Sequence, residues 1–310
     1  MSVERILVTG GAGFIGSHVV ETLLDKGYSV RVLDDLSSGK LTNLPVDNPN
    51  LCLVVGDVAD ASMVERAMSD CRAVVHLAAV ASVQASVEDP LRTHQSNFIG
   101  TVNVCEAMRQ ANVKRLVFAS SAAVYGNNGE GATVHEDTPK APLTPYAADK
   151  LASEHYLDFY RRQHGLEPTI LRFFNIFGPR QDPSSPYSGV ISIFSERARN
   201  DAPITIFGDG EQTRDFVYVG DLVKILIQAL EQPQPLSQPI NVGLSRSISL
   251  NDLIAELSVA LGKTLSFQFE SPRPGDIRHS RADNRRLLEH FSLNSPTSLA
   301  EGLSRLLKSL

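Results

Sequence analysis

The run Arg5-Ile6-Leu7-Val8 leads into Thr9-Gly10-Gly11-Ala12-Gly13-Phe14-Ile15-Gly16, and Ser17 to Leu24 continues with helical spacing. A strand that turns through spaced glycines into a helix predicts a dinucleotide-binding loop, and each glycine has a separate physical task. Gly10 permits the tight turn, Gly13 lets backbone approach a pyrophosphate, and Gly16 lets the helix pack on the strand. The amides at the helix N-terminus, where Phe14 and Ile15 stand, face the phosphates. Asp34 and Asp35 follow at the end of the next strand. A carboxylate there accepts hydrogen bonds from ribose hydroxyls and repels a 2′-phosphate, which predicts NAD rather than NADP. Asp35 by itself reads equally well as a solvated loop carboxylate.

Outward from this loop, Arg5 to Val8, Ser29 to Leu33, Cys52 to Val55, Ala73 to Leu77, Arg115 to Ser120 and Thr169 to Phe173 read as strands, with amphipathic helical segments between most of them. Continuous apolar strands such as Ala73-Val74-Val75-His76-Leu77 suit a parallel sheet covered on both faces. The expected class is α/β, a doubly wound parallel Rossmann sheet. Two strand ends fit the same groove. Asp57 in Gly56-Asp57-Val58 can reach an adenine edge, although a bare aspartate there is ordinarily a turn or cap residue. The small residues of Leu77-Ala78-Ala79 leave room for a dinucleotide backbone. After Asn175 prolines and glycines multiply and the alternation loses its regularity, which predicts a smaller C-terminal α/β domain. Residues 1–175 with about 215–245 are assigned to the Rossmann domain, and 176–214 with 246–310 to the second. The stretch from Gln232 to Gln238 reads as a surface loop.

A chain of 310 residues, 42% hydrophobic, has room for two moderate domains of ordinary globular composition. The net charge of −6 and the lack of a basic run argue against nucleic acid or an anionic membrane as partner, but leave room for a small anion held by local arginines. Met1 leads through Glu4 and Arg5 straight into a strand, without a leader or membrane span, so a cytoplasmic protein is expected. Cys52, Cys71 and Cys105 are odd in number and lack metal-site spacing, and read as reduced packing residues; no metal is expected.

The segment Tyr146-Ala147-Ala148-Asp149-Lys150 follows Pro142-Leu143-Thr144-Pro145 and starts the pattern Ala152, His155, Tyr156, Phe159, which puts Tyr146 and Lys150 at i and i+4 on one helix face. A positive charge near the phenol favours the phenolate, so the spacing predicts a lowered tyrosine pKa and a usable base. One strand earlier, Ser120-Ser121-Ala122-Ala123-Val124-Tyr125-Gly126 leaves a strand end, where a serine can hydrogen-bond the same substrate oxygen.

With these motifs in order, and with Leu171-Arg172-Phe173-Phe174-Asn175-Ile176-Phe177-Gly178-Pro179-Arg180, Arg214-Asp215-Phe216 and Arg273-Pro274-Gly275-Asp276, the chain resembles the extended short-chain dehydrogenase/reductases. Within them it is similar to the nucleotide-sugar epimerases of the UDP-galactose 4-epimerase and UDP-N-acetylglucosamine 4-epimerase kind. The resemblance implies that Ser121, rather than Ser120, is the catalytic serine, that Tyr146 is the base, and that Lys150 tunes it and holds the nicotinamide ribose. It places Asn97 in the cofactor pocket, puts Phe173 in the cofactor site, and packs Phe174 near the nicotinamide. Asn175, Arg214 and Arg273 match positions that hold the nucleotide diphosphate; Val190, Thr205, Phe207 and Asp276 complete the substrate set. Guanidinium forks suit a pyrophosphate, which explains how an acidic protein binds an anion. Ala81 departs from the pattern, standing where some members carry a lysine.

The implied reaction is C4 epimerisation of a UDP-sugar: Tyr146 takes the 4-hydroxyl proton while C4 gives hydride to NAD, and the hydride returns to the other face of the 4-keto sugar. NAD is regenerated and should stay bound. Resemblance to the 4,6-dehydratases would require an Asp-Glu pair after the serine, and to the UDP-xylose-forming decarboxylases a Glu. Ala122 and Ala123 supply neither. In the epimerases that this chain resembles, a gate lies beside the sugar C2 substituent; counting from Arg273 it falls on Ser280, and a small gate implies acceptance of UDP-GlcNAc and UDP-GalNAc, with UDP-Glc and UDP-Gal as further substrates. The alternatives are a UDP-uronic acid 4-epimerase, a non-catalytic NAD-binding regulator, and an NADPH-dependent ketosugar reductase. By analogy, helices from Leu91 to Arg109 and from Tyr146 to Arg162 pair across a twofold axis into a homodimer.

Overall fold

The computed structural model describes residues 4–128, 133–183, 189–272 and 277–310. The chain divides into two compact units. Unit 1 holds Met1–Val124, Pro142–Arg172 and Val223–Ile240; unit 2 holds Tyr125–Ala141, Phe173–Leu222 and Asn241–Leu310.

A seven-stranded sheet is built from β1 (Arg5–Thr9), β2 (Ser29–Asp34), β3 (Leu51–Val55), β4 (Cys71–His76), β5 (Arg115–Ser121), β6 (Glu167–Phe173) and β7 (Ile240–Val242). Their order is β7-β6-β5-β4-β1-β2-β3. β1 is parallel to both β2 and β4, with Val8 opposite Val32 on one side and Val75 on the other. Such a strand has no solvent face, which is why Ile6, Leu7 and Val8 form an unbroken apolar run. The order reverses between β1 and β4, and ligands of open α/β sheets bind at the strand ends beside such a reversal. The sheet and its alternating helices are the doubly wound Rossmann architecture expected from the sequence.

The Phe14–Asp25 helix buries Val19, Val20, Leu23 and Leu24, a stripe at helical spacing. The Pro145–His164 helix begins where Thr144 accepts the Ala147 N–H and Pro145 takes the first turn, and it ends at Gly165 in the left-handed region (φ 67°). The helix expected from Leu91 to Arg109 runs uninterrupted from Pro90 to Gln110, with a π turn inside it, and a separate short helix precedes it. Ser82 caps Val83–Glu88, Asp89 caps Pro90–His94, and a π turn over Gln95–Ile99 leads into Gly100–Gln110. Cys52 also departs from expectation. It is exposed, whereas Cys71 and Cys105 are buried. The reason is its place on β3, the edge of the sheet.

Unit 2 carries small two-stranded sheets: Asn175–Phe177 with Phe216–Tyr218, Ile204–Phe207 with Phe267–Glu270, and Thr213–Arg214 with Ile248–Ser249. Residues 125–141, drawn into the first domain on sequence, cluster here. Val134 bridges Ala282, and the Tyr125 hydroxyl donates to Asn241 Oδ1 at 2.6 Å. The fully buried Asp215 carboxylate gathers the N–H groups of Leu244, Ser245 and Ala282 at 2.9–3.0 Å. No helix among the described residues is long and apolar enough to cross a membrane.

Candidate active site

At the β1 end of unit 1, Gly10 takes a left-handed turn (φ 69°), and a Cβ there would lie 2.8 Å from the Ala78 nitrogen. A Cβ on Gly16 would strike the Gly10 carbonyl oxygen and approach Gly11 Cα at 2.7 Å. Gly13 differs: its Cβ would meet only Gly10 O, at 3.3 Å. Gly13 is the N-cap of the Phe14–Asp25 helix and provides no side-chain cap, and no acid stands in the first turn. The positive helix end, with the amides of Phe14, Ile15 and Gly16, is therefore left for an anion.

Asp34 is buried and accepts the Ala12 N–H through Oδ2 and the Leu36 N–H through Oδ1, both at 2.9 Å. Burial raises its pKa against the pull of those two donors. Each oxygen keeps a further lone pair for a ribose hydroxyl. Asp35 is exposed and turns back to its own loop, accepting from the Ser37 N–H and hydroxyl. Asp57 likewise caps a local turn through the Ala59 N–H, while Val58 is buried.

A buried polar chain ties the strand ends together. Thr9 Oγ1 accepts the N–H groups of Leu77 and Ala78 at 3.2 and 3.3 Å and lies 2.6 Å from His76 Nδ1. His76 Nε2 lies 3.1 Å from Thr101 Oγ1, whose hydroxyl donates to Asn97 O. With Thr9 donating to Nδ1, the imidazole proton sits on Nε2. Burial, aided by the charge of Lys150, pushes the His76 pKa down to about 3, so the ring is neutral. The Asn97 amide is spent on the Val80 backbone at 2.8 and 3.1 Å, fixing the loop that carries Ala78 and Ala79.

Ser121, Tyr146 and Lys150 come together in the same unit. Ser121 is the neighbour that favours the ionised form of the Tyr146 hydroxyl. Lys150 is buried, donates to the Ala119 carbonyl at 2.8 Å, and stands 4.9 Å from the Phe118 ring centre and 5.9 Å from that of Tyr146. Burial pushes the lysine pKa down to about 8, against the pull of Asp149 and Glu154. The lowered phenol expected from the i, i+4 spacing is not found. Burial raises the Tyr146 pKa, and Ser121 is what works against that rise. The spacing brings the ammonium to the ring without contact with the hydroxyl, and desolvation prevails.

In unit 2, Arg214 donates to the Thr213 carbonyl at 2.9 Å, and the Ser280 N–H donates to that same carbonyl at 3.1 Å, so these two sequence candidates are neighbours. Asn175 is held by its N–H on Asp215 O, and Phe174 by its N–H on Val242 O. Phe173 ends β6, Val190 opens the Val190–Arg199 helix, and Thr205 and Phe207 lie on the Ile204–Phe207 strand. Arg273 and Asp276 lie outside the described residues.

The model of the NAD dependent epimerase/dehydratase family matches residues 6–243. The chain belongs to this family. A UDP-glucose 4-epimerase of Mycolicibacterium smegmatis is 40% identical over 305 residues, covering 97% of this chain and 96% of that protein. Among solved structures, a UDP-N-acetylglucosamine 4-epimerase from Methanobrevibacter ruminantium in complex with UDP-N-acetylmuramic acid superposes with a TM-score of 0.93 at 39% identity, covering 100% and 98% of the two chains. A Thermus thermophilus UDP-glucose 4-epimerase complex with NAD gives 0.90 at 40% identity, with 98% of each chain covered. NAD, the cofactor of the family, fits the groove of this epimerase/dehydratase. The uncapped helix end and the open side of Gly13 would take the pyrophosphate, and the free lone pairs of Asp34 the ribose.

Sequence reasoning missed one buried pair that adjoins these residues. Glu154 and Arg172 form a buried ion pair, 6% and 3% exposed, with Nε on Oε1 at 2.9 Å and Nη2 on Oε2 at 2.6 Å. The Ser120 hydroxyl donates to Oε1 at 2.5 Å. Removing one member of such a pair costs on the order of 3–5 kcal/mol, because the other is left charged and buried. The signal was present: Arg172 is a lone cation in the apolar run Ile170-Leu171-Arg172-Phe173, and Glu154 is four residues beyond Lys150.

Proposed function

We propose that this chain inverts C4 of UDP-linked N-acetylhexosamines, interconverting UDP-GlcNAc and UDP-GalNAc through a 4-keto sugar. The observation that carries the chemistry is the convergence of Ser121 and Tyr146 beside a buried lysine, 5.9 Å from the tyrosine ring centre. The coarser activity, NAD-dependent UDP-sugar 4-epimerisation, is that of the relatives named above. The choice of an acetylated sugar rests on Ser280, a small residue where the gate is expected, and on the likeness to a UDP-GlcNAc 4-epimerase.

Tyr146 takes the proton of the sugar 4-hydroxyl and returns it to the 4-oxygen after inversion, so it ends in its starting state. Ser121 favours the phenol's anion, offsetting in part the burial that otherwise resists ionisation. Lys150 supplies a nearby positive charge and holds the nicotinamide ribose. NAD, when held in this groove, would supply the hydride acceptor and donor that oxidation and re-reduction at C4 require. Ala122 and Ala123 bring no acid to the ketosugar, so nothing promotes elimination or decarboxylation.

The working form is a cytoplasmic homodimer. Supporting the dimer, Val83, Val87 and Leu91 are exposed on the short helix and at the start of the one that follows it, and Tyr156 and Phe159 are 44% and 48% exposed on the Pro145–His164 helix. Three free thiols, one of them exposed, suit a reducing compartment.

Proton NMR of UDP-GlcNAc and, separately, UDP-glucose incubated without added NAD tests the reading. The 4-epimer of the acetylated sugar is expected, and Ser280→Tyr should selectively remove it. Neither epimer appearing would sink the function, and conversion of UDP-glucose alone would sink the acetylated substrate.

A further inference from the structure

Three successive residues at the end of β5 are each engaged by the Pro145–His164 helix. Ala119 accepts from Lys150 through its carbonyl, Ser120 donates to Glu154, and Ser121 stands by Tyr146 and favours its ionised form. On the helix the three partners stand at positions 146, 150 and 154, four residues apart and therefore on one stripe. Two of these links involve the proposed catalytic groups; the third, Ser120 to Glu154, touches none of the reacting atoms.

We propose that Glu154, locked by Arg172, is a positioning residue that acts through Ser120 to hold the strand end carrying Ser121 and the Lys150 acceptor at the geometry proton transfer needs. This rests on the reading of Ser121, Tyr146 and Lys150 given above. Glu154 cannot turn away from Ser120, because the Arg172 fork occupies both of its oxygens. Arg172 lies on β6, next to β5 in the sheet, so the carboxylate joins helix and two strands at one point.

The same carboxylate acts on Lys150 electrostatically. Facing the ammonium are Asp149 and Glu154 from its own helix, the neutral His76 from β4, the Tyr146 phenol, and Phe118 and the Ala119 carbonyl from β5, with Arg172 behind Glu154. Glu154 is one of two anions that favour the charged lysine against burial. Its neutralisation lowers the lysine pKa, so Lys150 loses its proton at lower pH.

Ser120→Ala cuts the link and leaves the ion pair intact; Ser120→Thr restores a hydroxyl; Glu154→Gln removes the charge. Each is assayed as the NAD-loaded protein with UDP-GlcNAc or UDP-glucose, whichever the wild type turns over. Ser120→Ala should lower kcat about 10-fold with KM for the UDP-sugar changed less than about 2-fold, since misplacement by a fraction of an ångström acts on the transition state. Ser120→Thr should recover kcat to within about 3-fold of wild type. Glu154→Gln should move the alkaline limb of the pH–rate profile downward by about one unit. An unchanged kcat in Ser120→Ala, or a rise in KM in place of the fall in kcat, overturns the proposal. If Glu154→Gln fails to fold, the Ser120 pair decides alone. Tyr146→Phe separates the two levels. If it remains active, the site reading itself fails; if it is dead while Ser120→Ala turns over normally, only the role of Glu154 is lost.

Discussion

Lys150 Nζ donates to the Ala119 carbonyl oxygen at 2.8 Å, and stands 5.9 Å from the Tyr146 ring centre. In the proposed mechanism the lysine therefore acts on Tyr146 through space, by its charge, and only while it holds its proton.

Catalysis should therefore fail from the alkaline side. With the Lys150 pKa at about 8, the ammonium fraction is halved near that pH and falls about tenfold for each further unit. A kcat/KM profile is expected to bend downward there. Stability runs the other way. The folded pKa lies below the ordinary value of 10.5, so between about 8 and 10.5 the unfolded chain binds more protons at this residue, and its contribution to folding improves as pH rises. Loss of activity above pH 8 with no matching fall in the melting temperature is the expected pairing; a parallel fall would assign the limb to unfolding.

The three loop glycines should separate on substitution. Gly16→Ala forces a methyl against backbone at Gly10 and Gly11, and should cost about 3 kcal/mol or more of stability, as buried overpacking against an unyielding backbone does. Gly10→Ala adds a left-handed strain to a contact with Ala78. Gly13→Ala meets only Gly10 O at 3.3 Å and should stay within about 1 kcal/mol of wild type in chemical denaturation. It should nevertheless purify with less bound NAD, because its methyl occupies the pyrophosphate side. Equal cofactor content in Gly13→Ala and wild type would remove that assignment.

Much of this was legible in the chain because it is local. The Arg5–Gly16 stretch contains its own strand, turn and helix start, and Tyr146 and Lys150 owe their common face to helical geometry alone. The misreadings have a common cause in tertiary placement. Whether Cys52 is packed depends on β3 being an edge, which no pattern within the strand reveals. The direction of the Tyr146 pKa is the balance of burial against Ser121, a residue 25 positions earlier. Glu154 and Arg172 are separated by 18 residues, and each looks unremarked until the other is in place. The π turn at Gln95–Ile99 is invisible to a count of apolar residues, because those on either side keep nearly the same spacing.

The contrast among the thiols makes the protein its own unfolding gauge. Cys52 is open to solvent on the sheet edge, whereas Cys71 and Cys105 are enclosed and burial raises both of their pKa values, that of Cys71 to about 11. Because the thiolate is the reactive form, an aromatic disulfide reagent should titrate one group in the native chain and all three after denaturation. The two slow thiols then report the opening of the sheet at β4 and of the Gly100–Gln110 helix, without a label or an engineered residue.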